Sequence, residues 1–267
     1  MTADEVLEHA DEYAWPLMMK PLLAHRFKKV IKGKYLMVRD IDELMAAYRL
    51  VSEHEVEVVL LEVIPGPDDL LCSYYTYIDE QGAPQFHFTK RVIRRYPERE
   101  GFGCYHITDW NPEVRDLGLR LFRHAGLKGV ANVEFKRDPR DGRLKLIECN
   151  ARFTAANGLL AASGIDLGAY VYRRLAGLPQ PAFVDGAYTK GLRLWYPLDD
   201  FLAFLDLRRE GRLDLVSWAR GVAHRQVLPY FSWSDPLPSA VRLRNNLRTL
   251  AVTRVRSAAH HGGAHGA

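Results

Sequence analysis

Cysteine is scarce in this sequence: Cys72, Cys104 and Cys149 are the only three among 267 residues, and none stands in C-x-x-C spacing. That excludes a disulfide framework and a cysteine-rich metal knuckle, and it fits a reducing, cytoplasmic setting. Long apolar runs are also missing. No stretch approaches the roughly 20 residues that span a bilayer. The N-terminal MTADEVLEHADEYAW is acidic and polar and lacks a signal peptide's pattern. The excess of positive charge is mild. The 37 Lys and Arg stand against 33 Asp and Glu, a net +4, which gives no reason to expect a nucleic-acid partner. G-x-S-x-G, H-E-x-x-H and Walker A sequences are absent, which removes the serine-hydrolase, zincin and P-loop readings. There is no internal repeat and no low-complexity linker.

What is present is an ordinary globular composition, 48% hydrophobic and 26% charged, enough for one or two packed domains. Helical spacing predicts helices over residues 3–13, 41–52 and 112–125, with Asp40 as N-cap of the second and Gly126 as the stop of the third. A further helix over 158–175 is expected to break near Gly164. Strands are expected at 15–20, 35–38, 55–64, 70–79 and 84–89, the last two flanking the turn DEQG. The pattern is α+β with mostly antiparallel strands. From Gly191 the texture changes to two short amphipathic segments, a loop FSWSDPLP and an amphipathic basic helix over 240–256 carrying Arg242, Arg244, Arg248, Arg254 and Arg256. That helix is expected to dock on its domain rather than lie on a membrane. The HHGGAHGA tail is expected to be disordered.

The richest stretch is residues 131–151, ANVEFKRDPRDGRLKLIECNA, followed at once by Arg152. Two apolar runs flank the polar turn RDPRDG, which is a β-hairpin pattern. Strand alternation places Leu144, Leu146, Glu148 and Asn150 on one face, and the hairpin brings Glu134, Glu148 and Asn150 onto one surface. Two carboxylates side by side are unfavourable unless a cation sits between them. Hard oxygen ligands suit a Mg²⁺ ion that holds nucleotide phosphates, and Arg152 offers a planar fork to a phosphoryl oxygen. An ordinary hairpin with its acidic groups in solvent is the alternative.

Other polar residues interrupt apolar segments. Lys20 breaks the strand LMMK, and a basic cluster of Arg26, Lys28, Lys29, Lys32 and Lys34 follows. Lysines at adjacent strand ends suit a triphosphate, and a solvated loop is the alternative. The buried-strand pattern VVLLEVI leads into PGPDD. Backbone near Glu62, Val63 and Ile64 has the donor and acceptor an adenine edge requires, and Asp68 lies at a turn within reach of a ribose. Turn chemistry explains Asp68 and Asp69 equally well. The segment KRVIRRYP, with Arg91 and Arg94, suits an acidic substrate, a loop over phosphates or a solvated edge strand. His87 and His106 receive no role.

Taken in order, PLMMKP, GKYLMVRDIDEL, LLEVIPGPDD with YIDEQG, and VEF…RDGRLKLIECNAR resemble the ATP-grasp superfamily over roughly residues 12–180. GLPQ, DFLAFLDLRREGRL and the FSWSDPLP loop are similar to the ATP-dependent carboxylate–amine ligases of the D-aspartate ligase-like branch. The resemblance implies an α+β ATP-grasp fold, two lobes with mostly antiparallel sheets clasping Mg-ATP, plus a helical C-terminal appendage. The expected division is 1–64 for the first lobe, 65–190 for the second, 191–256 for the appendage and 257–267 for the tail. It implies phosphate binding by Lys20 and Lys34, an adenine hinge at Glu62, Val63 and Ile64, and a ribose contact at Asp68. Mg²⁺ or Mn²⁺ would be held by Glu134, Glu148 and Asn150, with Arg152 on the γ-phosphate and acyl phosphate, and Arg91 and Arg94 near substrate. The implied activity joins a small carboxylate to an amine. A catalytically silent or split ATP-binding subunit is the alternative, because the family's usual N-terminal domain is not in this sequence. The expected partners are therefore small molecules, a second copy or a protein supplying that domain, and no membrane. Two departures stand out: the phosphate-covering loop has Gly33 as its only glycine, and Ala151 replaces the usual proline after the metal-binding asparagine.

Overall fold

The computed structural model describes residues 3–9, 12–23, 25, 27, 31, 33–98, 101–232 and 234–245. Arg26, Lys28, Lys29 and Lys32 lie outside the described residues, as do Arg248, Arg254, Arg256 and the tail. The chain forms two compact units, one of residues 1–66 with 138–141 and one of residues 67–137 with 142–267.

The first unit has helix α1 (Ala3–Glu8), strands β1 (Leu17–Pro21) and β2 (Leu36–Val38), helix α2 (Ile41–Glu53) and strand β3 (Val58–Glu62). The sheet order is β2-β1-β3, antiparallel throughout. Leu17 and Met19 alternate into a core with Val38, Leu44 and Val51, so α2 packs its apolar stripe on the sheet. Asp40 caps α2 as its sequence position predicts, its carboxylate accepting from the Glu43 amide at 2.8 Å.

The second unit begins with a short 3₁₀ turn (Asp68–Leu70) and strands β4 (Leu71–Ile78), β5 (Phe88–Tyr96) and β6 (Phe102–Thr108). Helix α3 (Pro112–His124) and the hairpin β7 (Gly129–Arg137) and β8 (Leu144–Asn150) follow. Helices α4 (Asn157–Ser163) and α5 (Leu167–Leu175), strand β9 (Arg193–Trp195), helices α6 (Pro197–Arg209) and α7 (Leu215–Val222) and strand β10 (Gln226–Val227) complete it. These strands make a seven-stranded sheet in the order β10-β9-β6-β5-β4-β7-β8. Only β9–β10 is parallel. Helix α3 starts at Pro112 with Asn111 as cap and is followed by Gly126 at φ 63°. It covers one sheet face through Val114 and Phe122 against Tyr74, Ala131, Val133 and Phe135. Helices α4 and α5, separated by Gly164 at φ 107°, cover the other face above Tyr75, Phe88 and Leu194.

Three expectations are corrected. The basic run from Lys90 is neither an edge strand nor a loop, because β5 is interior, paired with β4 on one side and β6 on the other. The segment after Gly191 is not purely helical, since β9 and β10 extend the large sheet. In the hairpin, strict alternation fails at Ile147. Glu134 faces Glu148 while Phe135 faces Leu146, so Ile147 is an extra residue, a β-bulge. Leu144 and Leu146 therefore face with Arg137 and Phe135, and Glu148 and Asn150 project from the opposite surface.

Candidate active site

The bulge aligns a polar row. The cross-strand pairs Asn132–Asn150 and Glu134–Glu148 lie on the face away from α3. The same row continues inward, since Glu134 registers with Ser73 on β4 and Ser73 with Lys90 on β5. The Asn150 amide donates to Glu148 Oε1 at 2.8 Å and to Asn132 Oδ1 at 3.3 Å. Asn132 is fully buried and donates in turn to the Tyr74 carbonyl at 3.2 Å. Asn132, anchored to the backbone, thus holds the Asn150 carboxamide in its orientation beside Glu148.

The electrostatics show the same grouping. Burial pushes the Tyr75 phenol far above its usual range, the Glu134 and Glu148 charges push it further, and Arg152 pulls it back. Tyr75 hydroxyl meets Thr154 Oγ1 at 3.2 Å. Like charges directly opposite across an antiparallel pair are destabilising. Glu134 and Glu148 are only partly buried, so their open side leads to solvent. Two carboxylates and the Asn150 carboxamide form a hard-oxygen donor set that fits a small divalent cation retaining some of its waters. Among the described residues, no cluster of three or more His, Cys, Asp and Glu offers a rival metal site. Arg152, exposed just beyond β8, donates from Nη1 to the Phe153 carbonyl at 3.1 Å.

In the first unit, Lys20 lies at the end of β1, and the Met19–Leu36 register carries the chain back so that Lys34 precedes β2 at that same end. Lys34 is exposed. Among the described residues strand β3 is an edge of its sheet, the kind of position at which backbone can pair with a purine. The Val63 amide does not serve it, because it donates to the Pro16 carbonyl at 3.4 Å. The Glu62 carboxylate is engaged by Arg140, which also binds Asp138 through Nε at 2.9 Å.

Three residues proposed from the sequence have other work. Asp68 is 5% exposed and receives Arg95 Nη2 at 2.8 Å, so its carboxylate is spent within the protein rather than on a ribose. Arg94 is bidentate to the fully buried Asp200, at 2.5 and 3.0 Å. Trp195 and Trp218 donate to the same carboxylate at 2.9 and 3.0 Å, completing a buried network in which the Arg94 guanidinium is engaged. Arg91 is exposed and paired with Asp109 at 2.9 Å. Conversely, sequence reasoning missed Asn132, Ser73, Tyr75, Lys90 and His106. Asn132 was findable, since it stands two residues before Glu134 and therefore on its face; the others depend on strand register.

No family model matches the chain. A D-aspartate ligase of Enterococcus faecium (strain Aus0004) is 24% identical over 216 residues, which are 76% of this chain and 50% of that protein. The chain thus spans about half the length of the curated relative it matches. Among solved structures, the biotin carboxylase domain of Hydrogenobacter thermophilus 2-oxoglutarate carboxylase, a complex with MgADP and bicarbonate, has a TM-score of 0.55 at 17% identity, covering 72% of this chain and 43% of that one. Biotin carboxylase from Campylobacter jejuni has the same TM-score and coverages at 15% identity. An ADP complex of N5-carboxyaminoimidazole ribonucleotide synthetase has a TM-score of 0.50 at 16% identity, over 67% of this chain and 46% of that one. The shared architecture is the ATP-grasp fold.

Proposed function

We propose that this ATP-grasp chain is the nucleotide-binding, phosphoryl-transferring part of an ATP-dependent ligase that joins a carboxylate to an amine. The observation that carries the reading is the Glu134–Glu148 cross-strand pair, with Asn150 bonded to Glu148 and Arg152 two residues beyond. The solved relatives with ADP or MgADP support a nucleotide site in this fold, and the D-aspartate ligase supports ligation.

In this reading Lys20 and Lys34 hold phosphate oxygens as point charges, and the β3 edge at Glu62 presents backbone to the purine. Glu134, Glu148 and Asn150 would hold Mg²⁺, or Mn²⁺ in its place. The ion would supply charge neutralisation at the transferring phosphoryl group. A carboxylate oxygen of the acid attacks the γ-phosphorus and the bond to ADP breaks, giving an acyl phosphate. The amine then attacks the acyl carbon and phosphate leaves, with the amine's proton lost to water. Arg152 stabilises charge on the transferring group in both steps. No side-chain nucleophile is required, because positioning and charge neutralisation carry phosphoryl transfer.

Calorimetric titration with a non-hydrolysable ATP analogue, with and without Mg²⁺, tests the site directly, and Mg²⁺-dependent binding is expected. ADP release should then be assayed with D-aspartate first, the acid named in the relative. Glu148→Ala should abolish ADP formation, and unchanged turnover in that variant would sink the assignment.

A further inference from the structure

One charged group on the site face has no part in the mechanism above. Lys90 is 2% exposed, in the middle of the large sheet. A lysine is almost never fully buried unless paired with an acid, and here both hydrogen-bond partners are uncharged. Its ammonium donates to Ser73 Oγ at 3.1 Å and lies 3.3 Å from His106 Nδ1. His106 Nε2 in turn lies 2.7 Å from the Gly103 carbonyl, which can only accept. That contact fixes the tautomer: Nε2 carries the proton and Nδ1 accepts from the lysine. The imidazole is therefore neutral. Burial and the Lys90 charge both oppose its protonation.

The assembly is tightly built. A Cβ on Gly103 would come within 2.1 Å of His106 Cε1, so the glycine is what lets the ring lie against the strand. Ser73 is 1% exposed and is the single residue between Lys90 and Glu134 in the row. Lys90 Nζ also lies 5.8 Å from the centre of the Tyr75 ring. No carboxylate pairs with Lys90 among the described residues. Burial disfavours its charged form, and the charge that most offsets this is Glu134.

The geometry points to Lys90 as a positioning residue for anions: a buried amine, held by Ser73 and neutral His106, set two strands in from Glu134 on the carboxylate face, whose positive charge an anion on the row would balance. This inference rests on the nucleotide reading above. With a divalent cation between Glu134 and Glu148, the pair is neutralised and Lys90 leaves the row net positive. That field favours the γ-phosphoryl group and the acid's carboxylate. It also opposes the metal. The two effects have opposite signs, which separates this role from a merely structural one.

The test is calorimetry on the full chain with a non-hydrolysable ATP analogue across a Mg²⁺ series, comparing wild type with Lys90→Met and Lys90→Gln. The glutamine keeps donors for Ser73 and His106 while removing the charge, and so covers the case in which the methionine variant does not fold. The expected result is a split. Analogue affinity at saturating Mg²⁺ falls about tenfold, while the half-saturating Mg²⁺ concentration falls threefold or more. Lys90→Arg, retaining charge, should stay nearer wild type in both. Wild-type binding combined with constants that move together, or do not move in Lys90→Gln, would overturn the inference alone. A wild-type chain that binds no analogue at any Mg²⁺ concentration would overturn the nucleotide reading, and this inference with it.

Discussion

Asp200 shows what a single buried charge does in this molecule. It is fully buried, accepts two bonds from Arg94 and one from each of two indoles, and is within 3.0 Å of every donor. Removing one partner of such a network strands the other charge without water. Asp200→Ala should lower unfolding free energy by about 3–5 kcal/mol in a urea melt. His106 carries a pH dependence of definite sign. Unfolded, its imidazole takes a proton below about pH 6.5; folded, it stays neutral well below that because of burial and Lys90. The unfolded state then binds the extra proton, so stability is full above about pH 6.5 and declines below it. His87, also held down by burial, adds in the same direction. Denaturation at pH 7.5 and 5.5 should differ by about 1.4 kcal/mol from His106 alone, and its ring resonance should not titrate over that range. The grouping of Glu134, Glu148 and Asn150 on one surface was legible at this scale because each interrupts an apolar pattern on the hairpin. The partners of Arg94 and Arg95 were not. They lie 106 and 27 residues away and meet only through the fold.

At the scale of elements, caps and breaks were readable from local chemistry. Asp40, Gly126 and Gly164 sit where helices begin or stop. Strand β5 was not readable, because a segment with Lys90, Arg91, Arg94 and Arg95 has the composition of a surface strand. Its burial depends on Asp200, Asp68 and Ser73 from elsewhere in the unit. Gly118 in α3 illustrates a choice between local preference and packing. Alanine there would gain about 1 kcal/mol of helix propensity. Its Cβ would stand 2.5 Å from Tyr74 Cδ1 and 2.9 Å from Val133 Cγ1. Tyr74 cannot yield easily, being stacked on His87 and Phe122 with its hydroxyl 2.6 Å from His87 Nδ1. Overpacking costs about 1–3 kcal/mol, so Gly118→Ala should be net destabilising, with a lower urea midpoint at unchanged slope.

For the whole molecule, the order of motifs disclosed the ATP-grasp architecture, and the solved neighbours share it. The internal layout was less visible. The compact units divide at Gly66, close to the expected boundary, yet residues 138–141 group with the first unit and the segment after 191 with the second. Strands β9 and β10 are too short, at three and two residues, to carry a periodic pattern of their own. Binding linked to folding gives a measurement on the intact chain. With Mg²⁺ present and nucleotide analogue at 100 times its dissociation constant, unfolding free energy should rise by about 2.7 kcal/mol. No helix among the described residues is long and apolar enough to cross a membrane.

The extra residue at Ile147 has a consequence for how this hairpin tolerates change. The bulge puts Leu146 and Glu148 on opposite faces although they are two residues apart. Deleting Ile147 would make them neighbours in a regular strand, which also sets them on opposite faces, so Glu148 would still meet Glu134 and Asn150 would still meet Asn132. Deleting Cys149 instead would make Glu148 and Asn150 neighbours and part them onto opposite faces. Function should therefore survive loss of Ile147 far better than loss of Cys149, making β8 a word with one spare letter and only one.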